Sequence, residues 1–442
     1  MTHLETTRAD ALPRLGQWTG GGGLRRVQED RLPEALRLAS RNRANLDRIG
    51  QAGVVRTVED LGRVPVIDKR DLRLNYPLGL LAVDRGELST YHESSGTSGT
   101  PTSSFFTEGD WLDVVDRFVR NTIDLTPLDT LLVRTPYAML TTGHQAHLAG
   151  RYRGATVVPA DNRSAVVTHA RVVQLLRDLE VTVAWCLPTE ALLWAVSAKA
   201  AGLRPERDFP RLRGFLVAGE PLSDARRQRI SRTWGGVPVL QDYGSTETGS
   251  LAGECSAGRL HLWADRFVPQ VYDSATGHSA MTGTGELVIT TLYREAMPLL
   301  RYNLQDLVRI SDPDCSCGWS LPTIEILGRN ASSCLVSGEH VTQQRIEDAV
   351  FALPDQHEVL FWRARGGEFL EVEFETATVG AQMAAAELTA LIRNRVGVEA
   401  RVRPVPVGTI VPWAALTRLP EFLKPRTLFD EGEDWDRAVS YW

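Results

Sequence analysis

Lysine is nearly missing from this chain. Only Lys69, Lys199 and Lys424 occur in 442 residues, and arginine carries almost all the positive charge. The bias is compositional, and it makes any lysine beside a motif less a matter of chance. A basic excess is missing too: the formal net charge is −6, which excludes the electrostatic footprint that nucleic acid or anionic lipid requires. Neither nucleic acid nor membrane is therefore expected as a partner. No apolar run reaches the roughly 18 residues of a membrane span, and Met1 to Pro13 carries acids without an apolar signal core. A cytoplasmic location is the resulting expectation. Cysteine is scarce and odd in number: Cys186, Cys255, Cys315, Cys317 and Cys334. Without an export signal, that count argues against a disulfide framework.

What is present fits a globular chain of two or three domains, with 43% apolar and 24% charged residues. Residues 24 to 50 place Leu and Ala among Arg and Glu at helical spacing, and Asp68-Lys69 reads as a helix start. From 130 to 243 helical and strand patterns alternate. Helices over 169–179, 189–201 and 222–234 separate strands over 181–187, 214–218 and 237–241. Such alternation predicts βαβ units and a mostly parallel, helix-flanked sheet. Residues 259 to 311 turn strand-rich, and after Gly328 the pattern restarts as a compact α+β unit, with helices over 344–352 and 381–395 and strands over 358–364, 368–375 and 399–405. The expectation is an α/β protein: a large N-terminal domain over 1–328, with a small β-rich subdomain, and a small mobile C-terminal domain over 329–442.

Ser94-Ser95-Gly96-Thr97-Ser98-Gly99-Thr100-Pro101-Thr102 is the densest chemical signal. Glycines let the backbone approach an anion, and hydroxyls and amides can donate to phosphate oxygens. No Gly-Lys-Ser or Gly-Lys-Thr follows, so it is not a Walker A loop. The alternative is a flexible linker. Asp242-Tyr243-Gly244-Ser245-Thr246-Glu247 ends a strand of the alternating region, where open α/β sheets bind ligands. A ring, a glycine, hydroxyls and a carboxylate there suit a base, close backbone approach, a phosphate and Mg²⁺; an ordinary strand-to-loop turn is the plain alternative.

These two segments, with Ala218-Gly219-Glu220-Pro221, Arg301-Tyr302-Asn303-Leu304-Gln305-Asp306, Gly328-Arg329 and Lys424-Pro425-Arg426 in the same order, resemble the adenylate-forming superfamily. Within it the chain is most similar to phenylacetate-CoA ligases, over about Leu12 to Asp430. Thr102, where many superfamily members carry lysine, points to the same branch. The resemblance implies ATP as substrate, with Ser94 to Thr100 on the β- and γ-phosphates. Ala218, Gly219, Glu220, Pro221, Asp242, Tyr243, Gly244 and Ser245 would lie around the nucleotide, with Ala218 to Glu220 and Tyr243 at adenine. Thr246 would touch the α-phosphate and Glu247 would ligate Mg²⁺. Asp306 would accept from the ribose hydroxyls, Arg329 would reach ribose or phosphate, and Lys424 would offset charge as the acid attacks the α-phosphorus. The acid, an aryl or heteroaryl carboxylate by analogy, would lie near Tyr137, Gly143 and His144.

Cys255, His261, Cys315 and Cys317 flank the strand-rich region, and three thiolates with one imidazole could close a structural zinc site. Spacing alone leaves reduced cysteines as an equal alternative; the resemblance favours zinc. Cys186 and Cys334, among apolar neighbours, are expected as buried hydrophobes. One departure stands out: Asn330-Ala331-Ser332-Ser333 lacks the acid that usually marks the family's hinge, and Ser337 precedes Gly338 where a basic residue is common. The leading expectation is an aryl-CoA ligase that uses CoA as acceptor. A stand-alone adenylating enzyme of specialised metabolism, passing acyl-AMP to a partner enzyme, carrier or amine, is the alternative. A non-catalytic nucleotide binder is the alternative of another class. Homologues of this branch often dimerise, which leaves a homodimer open.

Overall fold

A computed structural model describes residues 12–17, 20–94, 101–164, 166–328, 333–417 and 426–437. Its contacts gather into two compact units. The first comprises Met1–Leu128, Pro136–Ala155 and Leu240–Leu327; the second comprises Asp129–Thr135, Thr156–Val239 and Gly328–Trp442.

In the first unit, the helical pattern over 24–50 is two helices, Gly20–Ala39 and Arg43–Ala52, broken where Asn42 caps the second through the Asn45 amide. Asp68 caps Lys69–Leu74, and a capping box with Asp71 completes that helix start. Strands Thr90–Ser94 and Thr102–Phe106 form an antiparallel hairpin in which Ser94 faces Thr102. Every residue of the second strand is buried. The Arg294 guanidinium stacks on Phe106, 3.5 Å from the ring centre, and donates to the Phe105 carbonyl at 2.7 Å. Behind the hairpin runs Glu108–Val119, capped by Thr107. Phe267–Tyr272, Gly283–Thr291 and Tyr302–Ser311 form an antiparallel meander. Its inward residues, Val271, Leu287, Ile289, Tyr302, Val308 and Ile310, build the core with Trp263.

The second unit holds the parallel strands. Gly214–Val217, Val183–Cys186, Thr130–Val133 and Thr156–Pro159 lie side by side in that order. The sequences Gly-Phe-Leu-Val and Val-Ala-Trp-Cys are buried at every position, as strands covered on both faces must be. Pro188–Ala200 is apolar all round and buried along most of its length. His169–Asp178 and Asp224–Thr233 show one buried stripe each.

After Gly328 comes a hairpin of Ser333–Val336 and Glu339–Thr342. Its two-residue turn is Ser337-Gly338, with φ +49° and +86°, the twist that matches paired strands. Leu370–Thr376 pairs in parallel with Ala400–Pro406 and antiparallel with Trp362–Arg365, and Leu428–Phe429 adds the last strand. Helices Gln343–Val350 and Ala381–Arg395 belong to this part. A single apolar core joins it to the parallel strands. Cys186 and Cys334 are both buried in that core, as expected from their neighbours.

The observed class is the expected one, α/β with a β-rich subdomain, and most elements of 130–234 and 343–405 fall within a few residues of their expected bounds. Two details differ. The 242–245 segment is not a loop: strand Val239–Ser245 continues through it and pairs antiparallel with Gly249–Glu254. The strand expected over 358–364 begins only at Trp362, because the chain leaves a 3₁₀ turn at Asp355–His357 through Glu358 in the left-handed conformation, φ +49°, which an extended strand does not admit.

Candidate active site

The hairpin ending at Ser94 brings a hydroxyl pair against a buried acid. Thr102 hydrogen-bonds to Ser94 and donates to Glu247 Oε1 at 2.8 Å. Burial would raise the Glu247 carboxyl, but the Lys69 charge, together with hydrogen bonds from Ser245, its own amide and Thr102, holds it below the usual carboxylate range. It is therefore an anion. Its second oxygen, Oε2, is buried and accepts no hydrogen bond among the described residues. A buried, unpartnered carboxylate oxygen is what a hard cation takes, so Glu247 fits a Mg²⁺ ligand. Thr246 is half-buried, and its carbonyl accepts from Ser104 at 3.4 Å.

Strand Val239–Ser245 carries the next pair. Tyr243 donates its hydroxyl to Asp306 Oδ2 at 2.6 Å, and Asp306 is buried on the meander strand Tyr302–Ser311. Gly244 is dictated by its neighbour: a Cβ there would lie 2.1 Å from the Gly249 carbonyl oxygen. Asp242 points the other way, into the core. Burial pushes its carboxyl up to about 7, against the opposing pull of the Ser250 hydrogen bond and the Arg117 charge. Ser250 donates to it at 2.6 Å.

Tyr137, Gly143 and His144 come together around the N-terminus of Thr141–Tyr152. The His144 ring packs edge-on to Tyr137 and His92, at 5.3 and 5.2 Å between ring centres, and His144 Nε2 lies 3.0 Å from the Tyr137 carbonyl. Trp111 flanks the same rings. Gly143 makes room for this packing, since a Cβ would lie 2.8 Å from the Pro136 carbonyl and 2.9 Å from the Tyr137 ring. Burial first, then the charges of His144 and Arg294, press the His92 imidazole down to about 4, so it is neutral at pH 7.

In the second unit, Ala218 to Pro221 follow strand Gly214–Val217. Gly219 takes φ +80°, and Glu220 turns its side chain inward. Its Oε2 accepts from the Thr189 amide at 3.1 Å and the Thr189 hydroxyl at 2.7 Å. A carboxylate at the start of Pro188–Ala200 meets both free amides and the positive end of the helix dipole.

The four sulfur and nitrogen ligands also converge. One ligand atom from each of Cys255, His261, Cys315 and Cys317 lies within 4.8 Å of all the others. Cys255 and Cys315 sulfurs are 3.7 Å apart, close to the edge of about 3.8 Å in a tetrahedron with 2.3 Å zinc–sulfur bonds. The His261 Nδ1 lies 2.8 Å from the Leu321 carbonyl, which leaves Nε2 facing the Cys317 sulfur at 3.5 Å. Burial lowers the His261 pKa and keeps the ring in the neutral form a metal needs, with the Leu321 carbonyl opposing and Arg259 reinforcing.

Ser95, Gly96, Thr97, Ser98, Gly99, Thr100, Arg329 and Lys424 lie outside the described residues. Two contributors were not singled out from sequence as site residues: Thr102, which ties the hairpin to Glu247, and Lys69, whose charge acts on the same carboxyl. The rarity of lysine was the signal available for Lys69.

The family model for AMP-binding enzymes matches residues 81–289. Phenylacetate-coenzyme A ligase of Thermus thermophilus is 33% identical over 345 residues, covering 75% of this chain and 76% of that protein. The ligase of the same name from Pseudomonas putida is 30% identical over 374 residues, covering 80% and 82%. Among solved structures, 2-hydroxyisobutyryl-CoA ligase in the postadenylation state shares the fold, with a TM-score of 0.82 at 20% identity over 94% of this chain and 91% of that one. The anthranilate-CoA ligase AuaEII gives a TM-score of 0.56 at 16% identity, covering 77% and 67%.

Proposed function

The chain belongs to the phenylacetate-CoA ligase family of AMP-binding enzymes, and from that membership we propose that it activates an aryl carboxylic acid with ATP and transfers the acyl group to CoA. A carboxylate oxygen of the acid attacks the α-phosphorus and pyrophosphate leaves with its electron pair. The CoA sulfur then attacks the acyl carbon, losing its proton, and AMP leaves. The observation that carries the reading is the buried Glu247 anion, braced by Thr102, with one oxygen unpartnered among the described residues.

In this reading Glu247 would hold Mg²⁺, which supplies charge compensation on the phosphates. Ser94 and the glycine-rich segment after it would hold the β- and γ-phosphates, and Thr246 would meet the α-phosphate. Asp306, braced by Tyr243, would accept from the ribose hydroxyls. Lys424 would offset the charge that grows on the α-phosphate, and Arg329 would reach ribose or phosphate. His144 and Tyr137 present an aromatic wall beside the neutral His92, chemistry suited to a flat acid with a polar substituent. Residues 329–442 take the role of the small domain that closes over the adenylate.

Cys255, His261, Cys315 and Cys317 would hold a zinc ion with no open position, a structural rather than a catalytic site. No helix among the described residues is long and apolar enough to cross a membrane; a cytoplasmic location and a homodimer complete the reading.

One observation favours a second reading. The segment Asn330 to Ser333 has no acid, so the adenylate could pass to a partner enzyme, carrier or amine without CoA. Pyrophosphate release from ATP and Mg²⁺ over a panel of aryl and aliphatic acids, with and without CoA, separates the two. Release accelerated by CoA for an aryl acid supports the ligase; one turnover unaffected by CoA supports the partner-fed enzyme. Absence of release for every acid overturns both.

A further inference from the structure

The second unit also holds a wholly buried charge cluster. Arg226, near the start of helix Asp224–Thr233, sits between two carboxylates that come from distant parts of the sequence. Its Nη2 donates to Glu220 Oε2 at 2.8 Å and to the Thr189 hydroxyl at 2.5 Å. Its Nη1 donates to the Pro221 carbonyl at 3.1 Å and lies 3.6 Å from Glu347 Oε2. Glu347 belongs to helix Gln343–Val350, and its other oxygen accepts from the Ser223 hydroxyl at 3.2 Å. Ser223 is itself the cap of the arginine's helix, through the Arg226 amide. Glu220, Arg226 and Glu347 are all less than 9% exposed.

We propose that Arg226 is a positioning residue that couples the turn Ala218–Pro221 to the helix Gln343–Val350, because one guanidinium serves a carboxylate from each. The inference rests on the reading of that turn as part of the ATP site. Its physical basis is the shared donor. The fork that fixes Glu220 and the Pro221 carbonyl is the same group that faces Glu347, and a buried carboxylate has no solvent to replace a displaced partner. Two carboxylates against one guanidinium leave the cluster short of one positive charge. Burial accordingly drives the Glu347 carboxyl up to about 7, with Glu220 and the adjacent Asp348 adding to the rise and Arg226 and Ser223 opposing it. Whatever orders Glu220 orders Arg226, and so presents a fixed partner to the helix. Nucleotide bound on the turn thereby favours docking of Gln343–Val350, and docking favours nucleotide by the same factor.

The test uses the full-length protein. Hydrogen exchange of the amides of Gln343–Val350 is followed with and without ATP and Mg²⁺, and ATP binding is measured separately by calorimetry. Wild type is expected to gain protection there by about fivefold or more on binding ATP. Glu347→Gln keeps the shape and the Ser223 contact while removing the shared charge; its gain falls below about twofold, and its ATP affinity weakens by the matching factor. Arg226→Lys, which keeps the charge but loses the fork, shows the same loss. ATP binding to wild type with unchanged protection overturns the coupling, as does an undiminished gain in Glu347→Gln. Failure of ATP to bind at all, read by calorimetry alone, overturns the nucleotide reading and takes the coupling with it.

Discussion

Tyr243→Phe isolates one hydrogen bond without making a cavity. The ring keeps its place and only the hydroxyl that donates to Asp306 at 2.6 Å is lost. A hydrogen bond to a charged group contributes about 1.5–3 kcal/mol. At about 1.4 kcal/mol per factor of ten, that corresponds to roughly a ten- to hundredfold loss where the bond is used. Asp306 is proposed to hold the ribose, which it would do equally in the ground state and the transition state. The loss therefore belongs in KM for ATP, with kcat little changed. Steady-state pyrophosphate release at varied ATP, supported by calorimetric ATP affinity, reads this directly. A KM within about twofold of wild type, or a loss confined to kcat, refutes the ribose assignment and the brace together.

Gly143→Ala places a Cβ 2.8 Å from the Pro136 carbonyl and 2.9 Å from the Tyr137 ring, so Tyr137 must shift. KM for the acid should rise about tenfold while KM for ATP holds, measured by pyrophosphate release, because overpacking of this kind costs about 1–3 kcal/mol locally. Purified protein should carry about one zinc per chain by elemental analysis, and Cys317→Ser should lose the metal and lower the thermal unfolding midpoint; equal metal content in the variant contradicts the site. Asp242 binds its proton more tightly folded than unfolded, so its contribution to stability is complete below its ordinary value of 3.8 and is lost as pH rises to about 7. Asp242→Asn should remove that slope, seen as a smaller fall in denaturant midpoint between pH 5 and pH 8 than wild type shows.

Much of the fold was legible because the second unit follows simple rules. Short strands buried on both faces, such as Val183–Cys186 and Gly214–Val217, separated by a helix that is itself buried along most of its length, leave few other arrangements. The break at Asn42 was harder to see, since helical spacing continues through it and only the cap marks the stop. The 242–245 segment read as a strand-end turn, yet the chain stays extended because Gly244 allows the Gly249 backbone to come close. Composition shows that a glycine is present; it does not show which backbone approaches it.

The site was legible as motifs and less so as contacts. Tyr243 with Asp306, and the four cysteine and histidine ligands, do come together. Glu220 and Asp242, by contrast, carry motif positions but turn their carboxylates into buried partners, Thr189 with Arg226 and Ser250. Direction of a side chain depends on what packs around it, which a linear pattern does not contain. Thr102 escaped notice as a site residue for the same reason: its link to Glu247 spans 145 positions.

Isotope transfer tests the central claim most directly. An aryl acid labelled with ¹⁸O in its carboxylate is turned over with ATP, Mg²⁺ and CoA, and the AMP is examined by mass spectrometry. If the carboxylate attacks the α-phosphorus, its bridging oxygen leaves with the phosphate, and AMP carries a single ¹⁸O. Unlabelled AMP, or ADP and phosphate in place of AMP and pyrophosphate, contradicts the account.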